Sequence, residues 1–310
     1  MAATSSGEPA SVAGYSSMRP LTALFVSLRP EQWVKNLVLP LPFLFGRALG
    51  EARGWVIAAA GLMVFCVVSS AIYLVNDVMD RERDRAHPVK RRRPLATGEL
   101  GVASALTAAA VLLAAGLLVA FLVSPAFWGW CLFYAALMVG YSLWFKRVPF
   151  LEAAIVAAGL PLRALAGAAL ANVPPSFFLL SCAYLLALFL VVGKRQWELA
   201  NAGRRSSSEH RSVLAKYGAE GLDFLFVVTA LATVAAYGAY SVAPHTLKFH
   251  GHSFGPTIPF VVLGVARYVR LVYRRGGGGS PTRALLIDDP WLLSIVAGWV
   301  LTAGWIIYGH

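Results

Sequence analysis

The sequence predicts an all-α, polytopic membrane protein with nine transmembrane helices. The chain of 310 residues is 58% hydrophobic and only 14% charged, whereas a soluble domain carries roughly 25% charged residues. Its apolar residues form nine runs, most of them close to the ~20 residues that a membrane-spanning helix needs. The 27 basic residues fall mainly in the polar loops between these runs. The basic surplus therefore indicates membrane topology and contact with anionic lipid or phosphate, and we expect no binding to nucleic acid.

The chain begins with a polar tail and then alternates apolar runs with short loops. Residues 1–19 are rich in Ala, Ser and Gly and are expected to be disordered, and residues 20–310 are expected to form one transmembrane domain. Residues 20–29 fit a short interfacial helix that stops at Pro30. The first apolar run contains Pro40 and Pro42 and reaches about Gly50. The other runs lie near residues 55–79, 102–123, 126–145, 149–171, 175–193, 221–243, 255–273 and 288–309.

Lys and Arg are distributed unequally between the two sides of these runs. Twenty-three lie on the side of the N-terminus and of the 80–101 loop, and three lie on the other side. The positive-inside rule then places the N-terminus in the cytoplasm. An odd number of helices places the C-terminus outside. We therefore expect a multi-pass protein of the cell membrane whose 80–101 loop is cytoplasmic.

One stretch, Tyr73 to Gly98 (YLVNDVMDRERDRAHPVKRRRPLATG), combines oxygen ligands with cations. Asn76, Asp80 and Asp84 recur every four residues, so a continuous helix is expected to place them on one face. Carboxylate and amide oxygens suit Mg²⁺, which shares its ligands with substrate phosphates. The run Lys90–Arg93 offers positive charge to the same phosphates. The stretch therefore predicts a Mg²⁺–diphosphate site at a membrane surface; a charged cytoplasmic loop without a metal is the simpler alternative.

Other polar side chains at the ends of apolar runs are candidates for binding, since their burial in lipid is costly. Tyr73 lies one turn before Asn76, although a tyrosine at the membrane interface is an equally good explanation. Lys35 and Lys146 are candidates for phosphate binding, with a side chain that only extends to the membrane surface as the alternative. Arg163 lies inside an apolar run without an acidic residue nearby in sequence, which favours an interaction with a substrate phosphate.

The second long loop opens with Gly193–Glu198 (GKRQWE). Lys194, Arg195 and Glu198 converge on one face of a helix that continues through them, and a solvated basic loop is the alternative. The three cysteines lie in apolar runs without metal-ligand spacing and are expected to be small core residues. Small residues permit close helix packing within or between subunits, so a homo-oligomer is compatible with the sequence; they include Gly159, Gly167 and Ala168.

RPEQWVKN (29–36) and NDVMDRERDRAHPVKRRRPLATG (76–98) resemble the UbiA superfamily of intramembrane prenyltransferases, and the similarity covers nearly the whole chain. The resemblance implies nine transmembrane helices around a central cavity that opens to the cytoplasmic side, with motif aspartates that hold Mg²⁺ on a diphosphate. Members that use a prenyl diphosphate usually carry a second aspartate-rich motif after the sixth helix. Here GKRQWEL (193–199) stands in that place, and the next aspartate is Asp223.

This departure resembles an actinobacterial branch of the family that uses a phosphorylated sugar donor. The branch implies transfer of 5-phosphoribosyl from 5-phosphoribosyl 1-diphosphate to a polyprenyl (decaprenyl) phosphate, with release of diphosphate, in the synthesis of an arabinan precursor of the cell wall. Catalytic roles would fall to Asp77, as a base if one is needed, and to Asp80 and Asp84, which with Asn76 would hold Mg²⁺ and the diphosphate. The donor phosphates would be bound by Lys35, Tyr73, Asn76, Lys90, Lys146 and Arg163. The 5-phosphate, the ribose or the lipid phosphate would be bound by Lys194, Arg195 and Glu198.

Two other functions fit part of the pattern. A prenyltransferase that moves a prenyl group from its diphosphate to an aromatic acceptor predicts the second aspartate cluster, which the sequence lacks. A transporter or a non-catalytic lipid-binding protein predicts paired charges near the membrane midplane or broken helices in matching halves. Only Arg163 comes close to that pattern.

Overall fold

The computed structural model describes residues 19–46, 51–87, 89–200, 218–244, 246–247, 252–274, 281, 284 and 289–309. Most of the predicted disordered tail lies outside these ranges, and so does the glycine run within residues 275–280. The described part of the chain folds into helices without strands. In chain order the α-helices are α1 (Pro20–Ser27), α2 (Leu41–Phe45), α3 (Ala52–Ala86), α4 (Pro94–Thr97), α5 (Val102–Val123), α6 (Pro125–Leu143), α7 (Leu151–Ala171), α8 (Phe177–Ala200), α9 (Ala219–Val242), α10 (Ile258–Tyr273) and α11 (Pro290–Tyr308).

Eight helices in the described ranges, α3 and α5 to α11, are long and apolar enough to cross a membrane. Their bounds agree with eight of the nine predicted runs, and the largest difference is that α3 and α8 continue into the polar sequence that follows them. The predicted interfacial helix before Pro30 is confirmed as α1. The protein is therefore a polytopic, all-helical membrane protein.

The predicted first transmembrane helix is not one continuous α-helix. A 3₁₀ helix, Pro30–Val38, leads into the five-residue α2. Proline has no backbone N–H and its ring clashes with the preceding turn, so Pro40 and Pro42 prevent a regular helix between the two pieces. We call residues 29–46 the broken segment.

The broken segment nevertheless runs along the whole bundle. Near its start, the indole of Trp33 donates a hydrogen bond to Ser70 of α3. Near its end, the hydroxyl of Tyr308 in α11 donates to the carbonyl of Leu44. Asn36 contacts α3 one turn before Ser70, so this part of the segment is antiparallel to α3. Together with the eight long helices, the broken segment is roughly consistent with the nine crossings that the sequence predicts.

Gly167 of α7 allows the broken segment to approach closely. A Cβ atom at Gly167 would lie 2.0 Å from the carbonyl oxygen of Leu39. Gly159 and Ala168 are also buried on the same helix. These small residues therefore pack within one chain, and they lend no support to the homo-oligomer, which stays a prediction.

The substitution Gly167→Ala is expected to destabilise the protein by about 2 kcal/mol, because overpacking against backbone atoms forces the broken segment away from α7. The measurement is thermal unfolding of the purified protein in detergent. The matched control is Gly129→Ala in α6, where an added Cβ meets nothing within 4 Å and replacement of a helical glycine is favourable. Equal stability of the two variants would contradict the close approach.

Helix α3 carries the polar motif beyond the hydrophobic part of the bundle. Its 35 residues correspond to about 52 Å, whereas the hydrocarbon core of a bilayer is about 30 Å thick. The short helix α4 folds back on the end of α3, and Leu95 packs there with Ala23 of α1 and Leu74. We call this the charged end of the bundle; it comprises α3 from Tyr73 onward, residues 89–101, the 144–150 connector and the end of α8 from Lys194.

Candidate active site

The four polar side chains of the α3 motif divide into two pairs. An α-helix turns about 100° per residue, so two steps of four residues rotate Asp84 by about 80° from Asn76, almost to the direction of Asp77. Asn76 and Asp80 contact α6 and the residues that follow it, whereas Asp77 and Asp84 contact arginines. Asn76 and Asp80 therefore share their neighbours, whereas Asp84 shares an arginine with Asp77.

The pair Asn76–Asp80 fits a magnesium ion. The hydroxyl of Ser142 donates to the Asn76 amide oxygen (3.1 Å), and the Lys146 ammonium donates to Asp80 (2.6 Å). The Asp80 side chain is 18% exposed. One carboxylate and one amide oxygen, a helical turn apart, match the way Mg²⁺ uses few protein ligands together with phosphate oxygens and water. In the described residues no three His, Cys, Asp or Glu side chains form a metal-binding group.

The pair Asp77–Asp84 is neutralised by two arginines. Arg93 bridges the pair, with its guanidinium 3.1 Å from Asp77 and 2.5 Å from Asp84. Arg29 makes a short ion pair with Asp77. Both carboxylates are buried, and a buried carboxylate needs such a partner. In this arrangement both carboxylates are engaged by arginines, and the predicted roles of Asp84 in Mg²⁺ binding and of Asp77 as a base stay predictions.

Arg29 reaches Asp77 because of an unusual backbone conformation. It adopts a left-handed conformation (φ 55°, ψ 60°) between α1 and the 3₁₀ helix. Its guanidinium lies 5.1 Å from the ring centroid of Tyr73, a cation–π geometry. Tyr73 therefore positions a cation at the site, and its predicted contact with substrate stays a prediction. Arg29 begins the motif RPEQWVKN, but no local pattern links it to a residue 48 positions away.

Arg163 is buried inside the bundle and uses neutral acceptors. Its guanidinium donates to Asn36 (2.7 Å), to the Tyr134 hydroxyl (2.7 Å) and to the carbonyl of Gly159 (2.6 Å), and it lies over the rings of Tyr134 and Phe65. None of these partners cancels its charge, so Arg163 remains a source of positive potential. Asn36, which the sequence analysis missed, ties this arginine to the broken segment.

The basic motif at the end of α8 is held by two carboxylates. Glu152 of α7 binds Arg195 in a bidentate pair (2.7 and 2.8 Å), and Glu198 binds the same guanidinium at 2.6 Å. The Lys194 ammonium lies 3.9 Å from Glu198. The predicted convergence of Lys194, Arg195 and Glu198 is therefore present. Arg195 is paired with both carboxylates, and its predicted binding of phosphate stays a prediction. Glu152 is not among the residues predicted from the sequence, although a lone acid inside an apolar run is a usable signal.

Two further lysines lie between these groups. Burial lowers the pKa of Lys90, and the positive charges of Arg93 and Lys194 lower it further. Lys90 is therefore near both the α3 motif and the α8 motif. An anion bound beside it would oppose this effect and raise the pKa again. Lys35 is close enough to Arg29 and Arg163 for their charges to act on it. Lys146 contacts Asp80 directly, and the other cations belong to four further parts of the chain, namely the broken segment, residues 90–93, α7 and the end of α8.

Known proteins resemble this chain over most of its length. The model of the UbiA prenyltransferase family matches residues 38–287. The decaprenyl-phosphate phosphoribosyltransferase of Corynebacterium glutamicum is 35% identical over 292 residues, which are 91% of this chain and 86% of that protein. The protein of the same name from Mycobacterium tuberculosis is 33% identical over 90% of this chain and 92% of its own length.

A solved structure shares the fold. It is a UbiA homologue from Archaeoglobus fulgidus bound to GPP and Mg²⁺, with a TM-score of 0.70 and 18% sequence identity over 92% of this chain and 99% of that one. The family match over most of the chain, together with relatives above 30% identity, supports one assignment. This chain belongs to the UbiA prenyltransferase family.

Proposed function

We propose that the protein transfers 5-phosphoribosyl from 5-phosphoribosyl 1-diphosphate to a polyprenyl phosphate and releases diphosphate. The observation that carries this proposal is the charge distribution at the charged end. Asn76 and Asp80 provide one set of oxygen ligands, and Lys146 contacts Asp80 directly. Further cations lie at the charged end, in the broken segment and in α7; they are Lys35, Lys90, Arg163 and Lys194. The donor brings a diphosphate and a 5-phosphate, and the acceptor brings a lipid phosphate. One metal site together with many cations matches these three anionic groups, since Lys and Arg bind phosphate without a metal.

The names of the relatives support the same donor and acceptor. Each of the two bacterial relatives above is called a decaprenyl-phosphate phosphoribosyltransferase. The end of α8, where members that use prenyl diphosphates carry aspartates, holds Lys194 and Arg195 in this chain. Two cations at this position favour binding of an additional anion over binding of a second metal cluster. We therefore assign the prenyl group to the acceptor and the diphosphate to the sugar.

The reaction is a substitution at ribose C1. The bond between C1 and the diphosphate oxygen breaks with its electron pair on the diphosphate, and an oxygen of the lipid phosphate forms the new bond to C1. Mg²⁺ bound by Asn76 and Asp80 would supply positive charge to the leaving diphosphate. Lys146 and Lys90 would add positive charge around the same group, and Arg163 would contribute its uncancelled charge from within the bundle.

The lipid phosphate needs little activation. A phosphate monoester has a second pKa near 6 and is largely a dianion at pH 7, so its oxygen attacks without a general base. This agrees with the position of Asp77, whose carboxylate holds Arg29 and Arg93. The contribution of the chain is then to align two anionic substrates and to neutralise the charge that develops on the leaving group.

The test is an assay of the purified protein in detergent with Mg²⁺ and donor–acceptor pairs. We expect a new lipid product only from 5-phosphoribosyl 1-diphosphate with a polyprenyl phosphate, and none from a prenyl diphosphate with an aromatic acid. Mass spectrometry of the extracted lipid identifies the added group. A prenylated aromatic product, without a phosphoribosylated lipid, would refute the proposal.

We further propose that the charged end faces the cytoplasm, where a soluble phosphorylated donor is available, and that the C-terminus lies outside. The three native cysteines are buried, so single new cysteines report accessibility with a low background. In intact cells a membrane-impermeant maleimide is expected to label Glu51→Cys, at the start of α3, and not Arg92→Cys at the charged end. The reverse labelling would invert the proposed orientation.

A further inference from the structure

The connector between α6 and α7, residues 144–150, lies between two charged clusters of the site. One cluster is the α3 motif with its ion-pair partners, and the other is the α8 motif with its ion-pair partners. Lys146 in the connector donates to Asp80 of α3 at 2.6 Å. Glu152, in the first turn of α7 just after the connector, binds Arg195 of α8 through both carboxylate oxygens. One short stretch of chain therefore holds a partner of the α3 motif and a partner of the α8 motif.

The connector ends in a strained turn. Phe150 has φ 62° and ψ −47°, and the backbone N–H of Leu151 donates to the carbonyl of Pro149 at 2.7 Å. This is a three-residue γ-turn of the rare form with positive φ. A non-glycine residue keeps such a conformation where its surroundings hold it in place. The ion pairs of Lys146 and Glu152 lie on either side of this turn and tie both of its ends to neighbouring helices.

The contacts of Glu152 continue to Lys194. Glu152 is 2% exposed and fixes one edge of the Arg195 guanidinium. The remaining Nη1 of Arg195 donates to Glu198, whose other oxygen lies 3.9 Å from Lys194. Glu198 is shared between Arg195 at 2.6 Å and Lys194 at 3.9 Å, so Lys194 is the more weakly paired of these two cations. Its side chain is 42% exposed, and it is near Lys35 and Lys90.

We propose that Glu152 is a positioning residue that fixes Arg195 and, through Glu198, holds Lys194 beside a phosphate monoester. The monoester is either the 5-phosphate of the donor or the phosphate of the lipid acceptor, and this identification rests on the proposed function. Glu152 touches neither substrate. Its effect on the reaction passes through the chain of ion pairs that ends at Lys194.

The test begins with Glu152→Gln, which keeps the length of the side chain and removes its charge. We expect the KM of one substrate to rise about 10-fold while kcat changes by less than about twofold, because a displaced cation weakens substrate binding. A rise in the KM of the donor identifies the 5-phosphate, and a rise in the KM of the lipid identifies the acceptor phosphate. Unchanged KM values for both would overturn the proposal.

A double-mutant cycle separates positioning from general stabilisation. If Glu152 acts through Lys194, the double variant Glu152→Gln/Lys194→Gln has the same KM as Lys194→Gln alone. Additive effects would overturn the proposal. Glu152→Asp, which keeps the charge and shortens the side chain, is expected to change KM in the same direction and replaces Glu152→Gln should that variant fail to fold.

The matched control is Asp289→Asn. Asp289 is another buried carboxylate paired with an arginine, Arg267, at 2.8 Å, and it belongs to neither cluster. We expect unchanged KM values, and a rise equal to that of Glu152→Gln would overturn the proposal.

Calorimetric titration with inorganic phosphate measures binding at the same site without turnover. The double-mutant cycle can therefore be repeated with phosphate affinities in place of KM values, and it remains decisive if the protein uses another donor. Binding is then expected to weaken about 10-fold in Glu152→Gln.

Discussion

Asp80→Ala is expected to lower the rate of turnover about 1,000-fold while the protein remains folded, because the loss of a preorganised charge at a reacting group costs about this much. Asp80 is the carboxylate of the Asn76–Asp80 pair, and it is partly exposed where a substrate can reach it. Its ion-pair partners in the described residues are Lys146 at 2.6 Å and Arg83 at 3.7 Å; both side chains are partly exposed, so water can solvate them when Asp80 is absent. The measurement is the initial rate at saturating Mg²⁺, with thermal unfolding recorded on the same preparation.

The control for this variant lies two residues further along the same helix. Glu82 is exposed and pairs only with Arg85 among the ion pairs of the described residues. Glu82→Ala is therefore expected to keep near-normal activity. If Asp80→Ala retained most of its activity, the Asn76–Asp80 pair would not be the metal site, and the proposed mechanism would lose its foundation.

Arg93→Ala is expected to reduce the stability of the protein by about 3 kcal/mol or more, because removal of one partner leaves buried charges without compensation. Arg93 is the ion-pair partner of Asp84, and it shares Asp77 with Arg29. Both carboxylates are 3% exposed, so water does not replace the lost guanidinium. Thermal unfolding in detergent measures the effect.

A second substitution tests the cause of that instability. In Arg93→Gln/Asp84→Asn both charges are absent, and we expect stability to return most of the way to the wild-type value. Arg91→Ala, in the exposed part of the same basic run, serves as the control and is expected to change stability by less than about 0.5 kcal/mol. Equal instability of the single and double variants would show that the charges are not responsible.

The sequence predicted most of the fold because hydrophobic length is a local property. Eight apolar runs became eight continuous helices, and α5 has the predicted bounds of 102–123. The run with Pro40 and Pro42 became the broken segment, since proline removes backbone hydrogen bonds but does not specify what replaces them. The path of that segment along α3 depends on contacts such as Trp33 with Ser70, which no local pattern contains.

The site was predicted less completely, because residue types are local and ion pairs are not. The four-residue spacing of the α3 motif identifies polar side chains that lie a turn apart on one helix, but it does not identify their partners. Distant arginines pair with two of these side chains, as in the contact of Arg93 with Asp84. Glu152, 43 positions before Arg195, likewise neutralises that arginine in the structure.

In the proposed reaction the sugar moves to the lipid while the diphosphate leaves. An experiment with two isotopic labels follows both groups at once. The purified protein is given 5-phosphoribosyl 1-diphosphate with one isotope in the ribose and another in the β-phosphate, together with Mg²⁺ and decaprenyl phosphate. We expect the ribose label to enter the lipid extract and the β-phosphate label to stay in the aqueous phase as diphosphate. Both labels in the lipid, or neither when the folded protein has bound the donor, would contradict it.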